Sequence, residues 1–188
     1  MKSRVTGGSA ASPGTLVFDL ETKYLADEVG GWNYIHKMGM SVAVTYSVEQ
    51  DIFTTYTEPE VPLLIQALTE AQLVVGYNSV RFDYEVLSAY SFLPLRETVN
   101  SLDLMLPLHR TLGYRPKLQD LAAGTLGLGK LGDGLDAVRW FREGNMDKLI
   151  AYCKQDVRVT HEIYRFGKEQ GFVLVRGKYG TDRAHVEW

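Results

Sequence analysis

Near its start the chain has an apolar run that carries a charge. Leu16-Val17-Phe18-Asp19-Leu20-Glu21-Thr22 reads as a buried strand, whose apolar part spans Thr15 to Leu20. Asp19 lies inside that run, where a carboxylate needs a partner or a metal to offset its lost hydration. Side chains alternate along a strand, so Asp19 and Glu21 project from one face. A strand end with solvated acids is the competing reading of the triplet taken alone. Asp83-Tyr84-Glu85 is a second acid-x-acid triplet, so spacing by itself decides little. The apolar setting of Asp19 is what weighs against the competing reading.

The bulk properties narrow the field. A length of 188 residues with 45% hydrophobic content fits one domain with a real core. The 20 basic and 23 acidic side chains exclude nucleic-acid binding through overall positive charge. They leave room for an enzyme in which bound cations supply the charge locally. Cys153 is the sole cysteine, which rules out an intrachain disulfide framework and a Cys-based zinc site. His36, His109, His161 and His185 are scattered without the spacing of a zinc protease. Residues 1–14 are polar and rich in Gly, Ser and Ala, and read as a disordered tail. No apolar signal region follows and no transmembrane run occurs, so the expectation is a soluble, cytoplasmic protein away from membranes.

Periodicity then orders the chain. An irregular stretch over 22–39 contains Glu28-Val29-Gly30-Gly31-Trp32. Met40 to Ser47 and Ile52 to Thr57 read as strands joined by the polar turn Glu49-Gln50-Asp51. Glu60 to Ala71 has helical spacing with Pro62 in its first turn. Leu73 to Tyr77 reads as a buried strand, Phe82 to Tyr90 as a helix, and Val99 to Leu104 as a fifth strand. Helices are expected over 105–112, 117–126, 135–143 and about 145–169, with a mobile loop at Gly127 to Gly134. The last 17 residues read as a β-hairpin on the domain edge. The predicted class is α/β: a five-stranded mixed sheet flanked by helices, with a small C-terminal β extension over a domain of 15–188.

Two more pieces join the first carboxylates. Asp83 follows a buried strand through Asn78-Ser79-Val80-Arg81-Phe82 and opens a helix. It either serves the helix dipole or delivers a carboxylate to the strand's carboxyl end, where open α/β sheets place ligands. Tyr152 and Asp156 are four apart on the long helix and share a face. A tyrosine there packs, or its hydroxyl orients a reacting water beside Asp156.

Together these pieces resemble the DEDD superfamily of 3′–5′ exonucleases, on a ribonuclease H-like fold. Tyr152-x-x-x-Asp156 resembles its tyrosine subgroup, which includes polymerase proofreading domains. The other subgroup has a histidine where this chain has Ala151. The Asn78-x-x-x-Phe82-Asp83 spacing matches too. The Glu28–Trp32 segment and the region from Gly171 to Trp188 look like bacterial ribonuclease H-like domains found alone or with helicases. The resemblance implies two divalent cations, Mg²⁺ or Mn²⁺. Asp19, Glu21 and Asp156 would hold the first, Asp19 would bridge, and Asp83 would complete the second. Tyr152 would position the attacking water. It also implies single-stranded DNA or RNA 3′ ends as substrate, DNA favoured, and a helicase as a partner.

Substrate contacts are read from the most basic stretch, His109 to Lys117. Arg110, Tyr114, Arg115 and Lys117 there, with Asn78, are candidates for phosphate contact and base stacking; a solvated connection is the equal alternative. Lys130, and Arg139 with Trp140, are weaker candidates. Asp103 reads as a structural strand-end acid, Trp32 as a packed anchor, and Cys153 as a small buried hydrophobe. An endonuclease on the same fold, and a non-catalytic nucleic-acid-binding or helicase-adaptor module, are the rival functions.

Overall fold

The structure, a computed structural model, describes residues 14–129, 132, 134–178 and 180–188. The expected N-terminal tail (save Gly14), and Lys130 with two more residues of the Gly127–Gly134 loop, lie outside the described residues. Seven strands and seven α-helices are present among the described residues. The strands are β1 (Thr15–Thr22), β2 (Met40–Ser47), β3 (Ile52–Thr57), β4 (Leu73–Gly76), β5 (Ser101–Asp103), β6 (Phe172–Gly177) and β7 (Gly180–His185). The helices are α1 (Val61–Glu70), α2 (Asp83–Leu87), α3 (Leu95–Thr98), α4 (Met105–Leu112), α5 (Leu118–Thr125), α6 (Gly134–Arg142) and α7 (Met146–Gln170).

The main sheet has the order β3-β2-β1-β4-β5, with β1 at its centre. β2 runs antiparallel to β1 and β4 parallel to it, so the sheet is mixed as expected. Alternation along β1 divides the interior. Leu16, Phe18 and Leu20 face one apolar cluster with α1 and α2, where Leu64, Leu68, Tyr84 and Leu87 are buried. Val17 faces the other, beneath α7, with Leu149, Val157 and Ile163. Asp19 and Glu21 share the face of Val17 and therefore look toward α7.

Several boundaries differ from the sequence reading. The stretch over 22–39 is not irregular: it holds two 3-10 segments, Ala26–Val29 and Trp32–Lys37. Gly30 and Gly31 separate them at φ 98° and 105°, a region that favours glycine. The helix expected to run to Tyr90 ends at Leu87, because the Tyr90 hydroxyl is drawn to the Glu58 carboxylate (2.7 Å) and accepts the Met40 N–H (2.9 Å). The one-turn helix α3 was not foreseen; it is too short to show periodicity. The C-terminal hairpin is less peripheral than expected. Val173, Val175, Ala184 and Val186 are buried in the α7-side core, and Thr125 Oγ1 bonds both backbone groups of Leu174.

Candidate metal centre

The acids from three segments converge because each is delivered by a different rigid element. β1 supplies Asp19 and Glu21, opposite Val44 and Val42 of β2. α7 lies across them and carries Tyr152, Cys153 and Asp156. Asp83 arrives as the first residue of α2 and is 2% exposed. Its Oδ1 accepts the Leu20 N–H at 3.1 Å, so it locks onto β1 between the two other acids.

The carboxyls act on one another electrostatically. Burial, then repulsion from Asp83, Glu21 and Asp156, raises Asp19 well above the ordinary carboxylate range. Burial and then Asp156 and Asp83 raise Glu21 likewise. Burial pushes Asp83 up to about 8, against the Leu20 hydrogen bond that lowers it. Asp156 rises to about 6 through burial, and the Tyr152 hydroxyl that bonds it works in the opposite direction. Tyr152 is itself pushed up by burial and by Asp156, Glu21 and Asp19, so it stays a hydroxyl donor.

The donor set fits a hard divalent cation. Asp156 Oδ1 is buried with no hydrogen-bond partner among the described residues, which leaves a carboxylate oxygen to be satisfied. Oxygens of Asp19 and Glu21 and the Cys153 sulfur lie within 4.8 Å of one another. Clustered carboxylate oxygens suit Mg²⁺ or Mn²⁺. Cys153 is buried as expected, and it is more than a small hydrophobe. Its Sγ lies 3.5 Å from the Asp19 carbonyl and 3.7 Å from Asp19 Oδ2. Burial and the surrounding acids raise the thiol, so it remains an S–H donor to Asp19 rather than a thiolate ligand. Sequence reasoning missed this role; the one available signal was that Cys153 lies between Tyr152 and Asp156.

A family model described as the RNase H superfamily matches residues 16–166. The chain belongs to the RNase H superfamily. No curated protein matches it significantly. An RNase H-superfamily domain implies a nuclease-type function on nucleic acid, commonly with divalent metals. The match holds every carboxylate above and stops before the β6–β7 hairpin. No helix among the described residues is long and apolar enough to cross a membrane.

Beside these carboxylates lies a cleft of about 390 Å³, lined by Glu21, Leu25, Trp32, Phe82, Leu135 and Val138. Trp32 is not the packed anchor expected: it is 62% exposed, with its ring 6.4 Å from that of Phe82. The Glu28–Trp32 motif explains the display. Glu28 accepts both the Leu25 N–H (2.8 Å) and the Arg142 guanidinium of α6 (2.6 and 2.7 Å). Gly30 and Gly31 then turn the chain so that Trp32 points outward.

The other candidates are spread more widely. Asp103 is structural as expected, accepting N–H groups of Asn78 (2.7 Å), Val80 (3.1 Å) and Met105 (3.0 Å). That brace holds Asn78 at φ 63° at the end of β4. Arg115 donates to the Asn78 side-chain oxygen, and Tyr114 donates to Asp182 of β7 at 2.9 Å. These two therefore have protein partners, whereas Arg110 and Lys117 have no ion-pair partner among the described residues. Arg139 is paired with Asp136 at 2.8 Å.

Proposed function

We propose that this protein is a metal-dependent 3′–5′ exonuclease of single-stranded nucleic acid, with DNA preferred over RNA. The observation that carries the reading is the convergence of Asp19, Glu21, Asp83 and Asp156 around an unpartnered carboxylate oxygen, with Tyr152 bonded to the last. Asp19, Glu21 and Asp156 would hold one cation, and Asp19 with Asp83 a second. When bound, two Mg²⁺ or Mn²⁺ ions would supply Lewis acidity to the phosphoryl oxygens and activate water for hydrolysis.

The chain's own groups would do the rest. Tyr152, kept protonated by burial, would hold the attacking water in line. Cys153 would steady the Asp19 carboxylate by its S–H. The cleft between Trp32 and α6 opens beside Glu21, and its 390 Å³ lies within the range of small-ligand pockets, about 300–1,000 Å³. It would take the terminal nucleoside, with Trp32 against the base. A cleft of that size would take one terminal nucleoside, and on that ground an exonuclease is preferred to an endonuclease.

The test is a gel assay on 5′-labelled linear single strands of DNA and RNA and on a circular strand, each with Mn²⁺, Mg²⁺ or EDTA. A metal-dependent ladder that shortens linear strands from the 3′ end, and is lost in Asp19→Ala and Asp156→Ala, is the expected result. Cleavage of the circle would replace the exonuclease with an endonuclease. Near wild-type turnover by a folded Asp19→Ala would remove the site assignment.

A further inference from the structure

α7 has a second charged flank. At about 100° per residue, Lys154 and Arg158 project from the side of α7 opposite Tyr152 and Asp156. Their cations lie over the Phe53 ring of β3, at 4.4 and 5.5 Å from its centroid. Tyr46 packs at a tilt against Phe53 (4.5 Å) and His161 (4.9 Å), so three rings and two cations share one patch. Neither cation has a carboxylate within ion-pair distance among the described residues. The two nearby acids have other partners: Glu162 pairs with Arg165 (2.8 Å) and lies 3.8 Å from His161, and Asp51 accepts the Tyr46 hydroxyl (2.8 Å). Two adjacent cations without an ion-pair partner among the described residues are notable in a chain of net charge −3.

A groove starts at this patch and runs over α7. It has a volume of about 740 Å³ and passes over the outer side of α7 along Ala151, Gln155 and Val159, with Leu126 and Leu128 as its far wall. Lys154 and Arg158 line its end. Its walls are largely apolar, Glu162 lines it with the two cations, and the Phe53 ring adjoins it at Arg158; cations beside aromatic rings are the combination that holds a single strand without reading its sequence.

We infer that the α7 groove and the Phe53–Lys154–Arg158 patch bind the single-stranded nucleic acid upstream of the end being cut. The inference rests on the exonuclease reading for the identity of the strand. An α-helix is about 10–12 Å across, so only a strand several nucleotides long spans from the carboxylates to the patch. The surface therefore acts on long substrates and is silent on short ones.

The test compares the wild-type chain with K154Q/R158Q on a tetranucleotide and on a single strand of roughly 20 nucleotides, longer than the ~4–16 that one binding surface covers. In the double variant, KM for the long strand is expected to rise about tenfold with kcat unchanged, while the tetranucleotide is unaffected. Anisotropy of the labelled long strand, titrated with salt in EDTA, should show the slope of log affinity against log salt reduced by about 1.4, or ~0.7 per lost phosphate contact. Equal KM and equal salt slope in the two proteins overturn the inference, and so does a tetranucleotide KM that rises as much as that of the long strand. If neither protein cuts any strand, the exonuclease reading fails, and the salt slopes alone decide whether the patch binds nucleic acid.

Discussion

The Tyr152 hydroxyl meets the Asp156 carboxylate one helical turn along α7, and Asp156 Oδ1 is buried with no hydrogen-bond partner among the described residues. Tyr152 thus steadies the carboxylate, and Oδ1 is left for something that the described residues do not supply. This arrangement separates the roles of the two residues. Asp156→Ala should abolish turnover and weaken divalent-cation binding, because it removes a ligand. Tyr152→Phe should lower kcat by about 10–100-fold, the usual cost of losing a group that orients a ligand. Titration calorimetry with Mn²⁺ should show near-normal affinity in Tyr152→Phe. Equal losses of affinity in the two variants would mean that the tyrosine is itself needed to hold the metal.

The raised carboxyls predict an inverted pH dependence for the metal-free protein. Asp83 moves from 3.8 to about 8, so the folded state keeps a proton that the unfolded chain has released. The folded state then binds more protons across that window, and stability falls as pH rises through it. His161, lowered from 6.5 by burial, opposes this only below 6.5, and Glu28, Glu58 and Glu60 act only below their ordinary 4.5. Between pH 6.5 and 8, Tm in EDTA should therefore drop. Mg²⁺ displaces the retained protons, so its stabilising effect should grow over the same interval. Asp83→Asn should flatten the EDTA curve; a Tm that climbs with pH in EDTA would contradict the assignment.

Gly124 of α5 has no space for a side chain. A Cβ there would lie 2.4 Å from the Leu174 carbonyl oxygen, which is backbone and cannot swing aside. Gly124→Ala should cost about 1–3 kcal/mol by forcing β6 off α5, despite alanine's better helix propensity. Urea denaturation would measure it, and a variant as stable as the wild type would show that the hairpin docks elsewhere.

Trp32 should matter for binding more than for chemistry. Its ring forms one wall of the cleft beside Glu21. Trp32→Ala should raise KM in line with the ~1–3 kcal/mol of a base–aromatic stack, with a smaller change in kcat. Trp32→Phe should recover most of the loss. An unchanged KM in Trp32→Ala would remove the cleft from the substrate path.

Local pattern carried the elements that repeat a period over enough residues. β2 and β3 match their expected bounds, Met40–Ser47 and Ile52–Thr57, because alternation and the Glu49-Gln50-Asp51 turn are both encoded nearby. α7 shows its buried stripe through Leu149, Val157 and Ile163. Short pieces such as α3 were illegible, since four residues cannot display a helical period. The same holds for Trp32: its exposure depends on Glu28 meeting Arg142, more than one hundred residues away in sequence.

The sequence by itself determined that Asp19 sits in a core strand with Glu21 on the same face, and that Tyr152 and Asp156 share one side of a long helix. Those relations follow from the fixed periods of strand and helix. Only the tertiary structure decided that the α7 face lies over β1, that Asp83 is locked to Leu20, and that Cys153 points at Asp19. It also decided that Lys154 and Arg158 stand over Phe53 with no ion-pair partner among the described residues. Such meetings depend on how distant segments pack, and no local period records them.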